Sequence, residues 1–281
     1  MSPRKRPFRQ VDVFTAVPFK GNPVAVVLDA DGLDTARMQA FAAWTNLSET
    51  TFVTRPQGSN GDYAVRIFTP RSELPFAGHP TLGTAHAVIE AGMATARAGR
   101  LVQDCAAGLV DLDIGEGSLS FRLPRYALAA APGGAAATAW IGAALAGDVQ
   151  IADVGPKWHV GQVAEPAALA ALTPDFAALA DYCRTHDLTG STLYAVTPDG
   201  AVTVRSFAPA DGIDEDPVCG SGNGAVAAMR LLRGQVADGD AYVASQGREI
   251  GRDGHIAVRI EGRDIHVGGA CVTAIAGTVL L

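Results

Sequence analysis

Two short stretches of this chain place uncovered backbone nitrogen beside a reactive side chain where a helix would begin. They are Ala77-Gly78-His79-Pro80 and Cys219-Gly220-Ser221. A glycine next to an imidazole or a small polar side chain leaves N–H groups open at a helix N-terminus, where the helix dipole favours an anion. Pro80 suits the first helical turn because its missing N–H costs nothing there. Two such starts predict one anion site served by two lobes. Ahead of the second start runs Asp214-Glu215-Asp216-Pro217. Ahead of the first lies Ser48-Glu49-Thr50-Thr51, an acid among small polar residues at the head of a strand-like run.

The elements that must carry these residues come in two copies. Val65-Arg66-Ile67-Phe68-Thr69-Pro70 matches Val204-Arg205-Ser206-Phe207-Ala208-Pro209 at four of six places, and from position 65 to position 204 is an offset of 139, about half of the 281 residues. Each copy alternates apolar and polar like a half-buried strand, meets a proline that cannot extend a ladder, and leads through a loop to one of the helix starts. The stretch Leu47-Ser48-Glu49-Thr50 has a counterpart in Leu188-Thr189-Gly190-Ser191, which lacks the acid. The duplicated frame is therefore chemically unequal.

Composition narrows the function classes. A hydrophobic share of 48%, a charged share of 18% and a net charge of −7 describe a soluble globular chain with no reason to bind nucleic acid or a membrane surface. The only basic run, Arg4-Lys5-Arg6 with Arg9, reads as a solvated tail, and no apolar segment follows it to make a secretory signal. The Ala-rich stretch 127–146 is broken by Pro132-Gly133-Gly134, short of the ~20 residues a membrane helix needs. It reads as a linker entering a helix. Cys105, Cys183, Cys219 and Cys271 lie far apart, without a C-x-x-C pair or a metal-ligand spacing, so reduced thiols and a cytoplasmic location are expected. His79 and His86 share a helix face without a third ligand, so no metal is expected. Gly220-Ser221-Gly222 opens like a dinucleotide fingerprint but does not complete one, which excludes a Rossmann oxidoreductase.

Glycine fills 32 of 281 positions, above the ~7% average, and predicts many short strands. An opening hairpin over Phe8–Leu28, a helix capped by Asp34, short strands at 101–104, 109–114 and 119–123, a helix from Thr173-Pro174 to His186, and closing strands after Ala241 complete the pattern. The first lobe is expected to span 1–127, with strand 270–281 crossing back to it, and the second 128–269.

Gly21-Asn22-Pro23, Ser48-Glu49-Thr50-Thr51-Phe52, Phe68-Thr69-Pro70, Glu73-Leu74-Pro75-Phe76-Ala77-Gly78-His79-Pro80-Thr81-Leu82-Gly83, Gly155-Pro156-Lys157-Trp158 and Asp214-Glu215-Asp216-Pro217-Val218-Cys219-Gly220-Ser221 occur here in one order along nearly the whole chain. Jointly they resemble the PhzF-like isomerase family of phenazine biosynthesis. The resemblance implies an α+β, diaminopimelate-epimerase-like fold, in which two pseudo-twofold-related lobes each wrap a barrel-like sheet around a central helix. It also implies a homodimer and a reaction that needs no cofactor.

Carried over by motif, Glu49 is the catalytic acid/base, and His79 and Asp216 are flanking polar groups. Ser221, with the N–H groups around Gly78 and Gly220, holds the carboxylate of a small-molecule substrate. A desolvated carboxyl acquires a pKa at which it can both take and return a proton. The helix end favours neutral imidazole at His79. Related epimerases use two thiols, one at each helix start; here the first place is Ala77, so two-thiol racemisation is unavailable. Cys219 is open to two readings, a packed small side chain or a substrate-touching thiol whose pKa the helix start lowers. Ser221 is likewise either an N-cap alone or an N-cap that also meets substrate. Three functions fit: a proton-moving isomerase, an epimerase or racemase pairing Glu49 with Cys219, and a small-acid-binding protein without catalysis.

Overall fold

The alternating residues near the start of the chain form β1 (Lys5–Val13), which pairs antiparallel with β2 (Asn22–Val27) from Phe8↔Val27 to Val13↔Asn22. A computed structural model describes residues 3–56, 58 and 60–281. The chain divides into two units, Met1–Phe121 with Gly268–Leu281, and Arg122–Val267.

In the first unit, Asp34 accepts the Arg37 N–H and starts α1 (Thr35–Thr45), which buries Met38 and Ala42 and carries the chain over to β3 (Glu49–Thr54), parallel to β2. Next come β4 (Tyr63–Phe68), antiparallel to β3, the two-residue β5 (Glu73–Leu74) and α2 (Gly78–Glu90). β6 (Arg100–Cys105), β7 (Gly108–Gly115) and β8 (Ser118–Arg122) form a meander. Helix α2 is buried along most of its length and packs on β1, β2 and β3. The approach is close because Gly83 has no side chain. A Cβ there would lie 2.9 Å from Val13 Cγ2, and overpacking of this kind costs about 1–3 kcal/mol.

The second unit repeats this wiring. β9 (Ala127–Ala130) and β10 (Gln150–Asp153) pair antiparallel, and β10 pairs with β11 (Lys157–Gln162). A crossover through α3 (Pro166–Ala170) and α4 (Phe176–His186, capped by Asp175) places β12 (Gly190–Val196) parallel to β11, as α1 places β3 beside β2. β13 (Val202–Ala208) is antiparallel to β12, and β14 (Ile213–Asp216) leads into α5 (Gly220–Leu232). β15 (Ala241–Gln246), β16 (Gly254–Glu261) and β17 (Asp264–Gly269) follow. The last strand, β18 (Cys271–Leu280), pairs antiparallel with β1 from Lys5↔Leu280 to Val13↔Cys271.

Two expectations are corrected. The basic run is not a tail: Lys5 opens β1, and Arg6 is 2% exposed, its Nη1 held by the carbonyls of Asp29 and Asp31. The Ala-rich stretch does not enter an α-helix. It supplies β9 and a single 3-10 turn (Gly134–Ala137), because Gly133 and Gly134 take φ of 89° and 54°, where a right-handed helix cannot start. Among the described residues, no helix is long and apolar enough to cross a membrane, and no group of three or more His, Cys, Asp or Glu could hold a metal ion.

Candidate active site

Glu49 is the first residue of β3, set opposite Val24 of β2, so its backbone is fixed by a ladder while its side chain stands at the strand's end. The side chain is 16% exposed, and Oε2 lies 3.3 Å from His79 Nε2. Burial pushes the Glu49 carboxyl up to about 7, against a smaller lowering by Ser48. At neutral pH such a group is present in both protonation states, as a proton shuttle requires.

His79 is the second residue of α2 and is 7% exposed. No side chain caps this helix, because the N-cap position is Ala77. Gly78 is a steric necessity, since a Cβ there would lie 2.8 Å from Phe121 Cζ. The helix is keyed to the sheet by buried hydrogen bonds: Thr84 Oγ1 donates to Thr51 Oγ1 (2.8 Å), Gln103 Nε2 to Thr81 Oγ1 (2.9 Å) and Tyr63 Oη to Gln103 Oε1 (3.0 Å). Sliding α2 would strand these groups at about 1–3 kcal/mol each, so the series holds His79 against Glu49. Sequence reasoning missed it, because its members are three threonines, a glutamine and a tyrosine scattered from position 51 to position 103.

Within the second unit, Asp216, Cys219, Gly220 and Ser221 come together around the start of α5. Cys219 is the N-cap, its sulfur accepting the Gly222 N–H at 3.3 Å. Gln246, 2% exposed, ties the turn together. Its Oε1 accepts from Cys219 N (3.2 Å) and Asn223 Nδ2 (2.8 Å), and its Nε2 donates to the Asp216 carbonyl (3.0 Å). Asp216 Oδ1 accepts the Val218 N–H at 3.1 Å. The strand before it is anchored by Arg205 and Glu215, which form a two-pronged pair at 2.9 and 2.7 Å with side chains 7% and 8% exposed. Glu215, which reads as a loop acid in the sequence, is a structural anchor.

Trp158, 2% exposed, donates its indole N–H to Ser221 Oγ at 3.1 Å. Its neighbour Lys157 turns away and pairs with Asp187 at 2.7 Å. Of the two readings of Cys219, its burial agrees with the packed side chain: its thiol pKa is raised well above the ordinary value, first by burial and then by the Asp216 charge, while the contacts from Ser221 and Gly222 only oppose the rise. Desolvation outweighs the helix dipole, and the thiol stays protonated.

Residues 11–277 match the family described as phenazine biosynthesis-like protein, PhzC-PhzF. The chain belongs to the PhzF family. It is 39% identical to Antisense-enhancing sequence 1 of Schizosaccharomyces pombe, over 96% of this chain and 97% of that protein. It is 36% identical to trans-2,3-dihydro-3-hydroxyanthranilate isomerase of Pseudomonas chlororaphis, over 96% and 98%. Among solved structures, the PhzF-family protein of Bacillus anthracis superposes with a TM-score of 0.85 at 24% identity, covering 99% of this chain and all of that one, which shows the fold. As a PhzF-family protein matched end to end by named isomerases, the protein is an isomerase.

Proposed function

We propose that this PhzF-family protein moves a proton on a small carboxylate-bearing substrate without a cofactor, with Glu49 as general acid/base. The observation that carries the reading is a carboxyl with a pKa of about 7 held 3.3 Å from the imidazole of His79. Ionised Glu49 takes a proton from a carbon next to an activating group, becomes the neutral acid its surroundings favour, and returns the proton to another carbon of the same conjugated system. His79 steadies the reacting group through its ring N–H. In the second unit the same reading gives Ser221, the backbone around Gly220 and the Cys219–Gly222 turn the task of holding a substrate carboxylate, with Asp216 as a further polar contact. Cys219, buried and protonated, is a poor second base, which disfavours the Glu49–Cys219 epimerase.

The substrate we propose is trans-2,3-dihydro-3-hydroxyanthranilate or a close analogue, on the strength of the named Pseudomonas relatives. The enzyme is proposed to work as a homodimer in the cytoplasm, in keeping with its four free cysteines. Incubation with this compound in deuterated buffer, followed by NMR, tests the reaction. The expected result is isomerised product formed at a rate that Glu49→Gln lowers by about 10²–10⁴. No conversion by wild type, or equal rates for both proteins, overturns the assignment.

A further inference from the structure

A cavity lies in the first unit, where β1 begins and α1 starts. It measures about 340 Å³ and is lined by three arginines, Arg4, Arg6 and Arg37, together with Asp31, Asp34 and Leu281. No residue assigned above to the reaction lines it. That volume falls within the roughly 300–1,000 Å³ typical of small-molecule sites.

The carboxylates nearby are already engaged. Asp34 caps α1 by accepting the Arg37 N–H at 2.7 Å, and Asp31 pairs with Arg55 at 3.0 Å. Asp29 is shared by Arg4 (3.0 Å) and Arg6 (3.7 Å). Among the described residues Arg37 has no ion pair. Arg6 is the most informative: its side chain is 3% exposed, it has no closer ion pair than the distant one to Asp29, and its buried Nε has no hydrogen-bond partner. Burial and the charges of Arg4 and Arg37 push its pKa down. Three arginines thus line an open volume at the Asp34-capped start of α1, with the aspartates around it already engaged. Guanidinium groups on separate segments suit an oxyanion that offers acceptors in several directions.

We propose that this cavity binds a phosphate group, free or carried on a small molecule. The test is titration calorimetry of the full chain with inorganic phosphate and with ribose 5-phosphate, against sodium chloride at matched ionic strength. Arg37→Gln and Arg4→Gln serve as variants because both side chains reach solvent, whereas loss of Arg6 would disturb the core. Saturable binding of either phosphate compound is expected, weakened about tenfold in each variant, as loss of one charge-assisted contact would do. Binding of ribose 5-phosphate alone identifies a carried phosphate, and binding of both identifies the phosphate group as the recognised part. Absence of saturable binding up to ~10 mM of either compound, or binding that both variants leave unchanged, overturns the proposal and makes the arginines an internal ion network.

Discussion

Replacing Glu49 by glutamine separates what this carboxyl does for the reaction from what it does to the fold. Its pKa stands at about 7 against 4.5 for the free side chain. A difference of that size corresponds to about 3 kcal/mol at 1.36 kcal/mol per unit. The sign follows from proton counting. Below about pH 4.5 both states of the chain hold the proton, and stability is undiminished. Between that pH and about 7 the unfolded chain releases the proton while the folded one keeps it, so stability falls as pH rises. Above about 7 the folded protein carries a buried carboxylate, and the loss is complete. Glutamine cannot ionise, so the variant gains on wild type with rising pH. Urea unfolding of both proteins at about pH 5 and about pH 8 should show the stability difference shifting by about 2.5 kcal/mol in favour of Glu49→Gln, since part of the loss already lies below about pH 5. The same titration should appear as a rise in kcat/KM with pH through about 7, because the base form starts the reaction. A stability difference that stays flat between the two pH values would show an ordinary surface carboxylate and refute the reasoning for its chemistry.

Trp158→Phe keeps most of the ring but removes the 3.1 Å hydrogen bond to Ser221; about 1 kcal/mol of substrate binding should be lost, read as a several-fold rise in KM with kcat retained, and Trp158→Phe/Ser221→Ala should lose no more than Ser221→Ala alone. Cys219 should resist iodoacetamide at about pH 8 in the native protein and react after denaturation, since its burial keeps it a thiol; rapid native labelling would contradict this. Glu215→Gln breaks the buried pair with Arg205 and should cost about 3–5 kcal/mol in urea unfolding.

Much of the frame was legible because it rests on local rules. The β1–β2 hairpin, the Asp34 cap and the two proline-ended strands each follow from a few neighbouring residues, and each stands where those residues place it. The unread parts depend on contacts between distant positions. Arg6 looks like a solvated cation until the carbonyls of Asp29 and Asp31 close on it. Trp158 gains its partner 63 residues later in the chain. Helix α3 escaped notice because five residues around Pro166 carry too little periodicity to register. At Cys219 the sequence shows the helix start, which lowers a thiol pKa, but not the enclosure that raises it more.

Registers explain why the duplicated frame carries an acid only once. Glu49 opens β3 opposite Val24, and the next residue, Thr50, faces Phe68. Gly190 opens β12 opposite Trp158, and the next residue, Ser191, faces Phe207. Glu49 and Gly190 therefore hold one position of the repeat, as Val24 and Trp158 hold another. The small valine leaves room for a carboxyl in the first copy. In the second, a Cβ at the glycine would press first on the Phe207 carbonyl and next on the indole, 2.8 Å from Trp158 Cζ3. A side chain at 190 is excluded by that backbone carbonyl as well as by the ring that bonds Ser221, so the second copy can orient a hydroxyl but cannot hold a proton shuttle at this position. Gly190→Ala tests the exclusion, because the methyl must displace the Phe207 carbonyl and the indole together. Indole N–H resonances assigned by NMR should show Trp158 losing its hydrogen-bonded shift. An unchanged resonance in a folded variant would mean that the absence of the acid from the second copy has another cause.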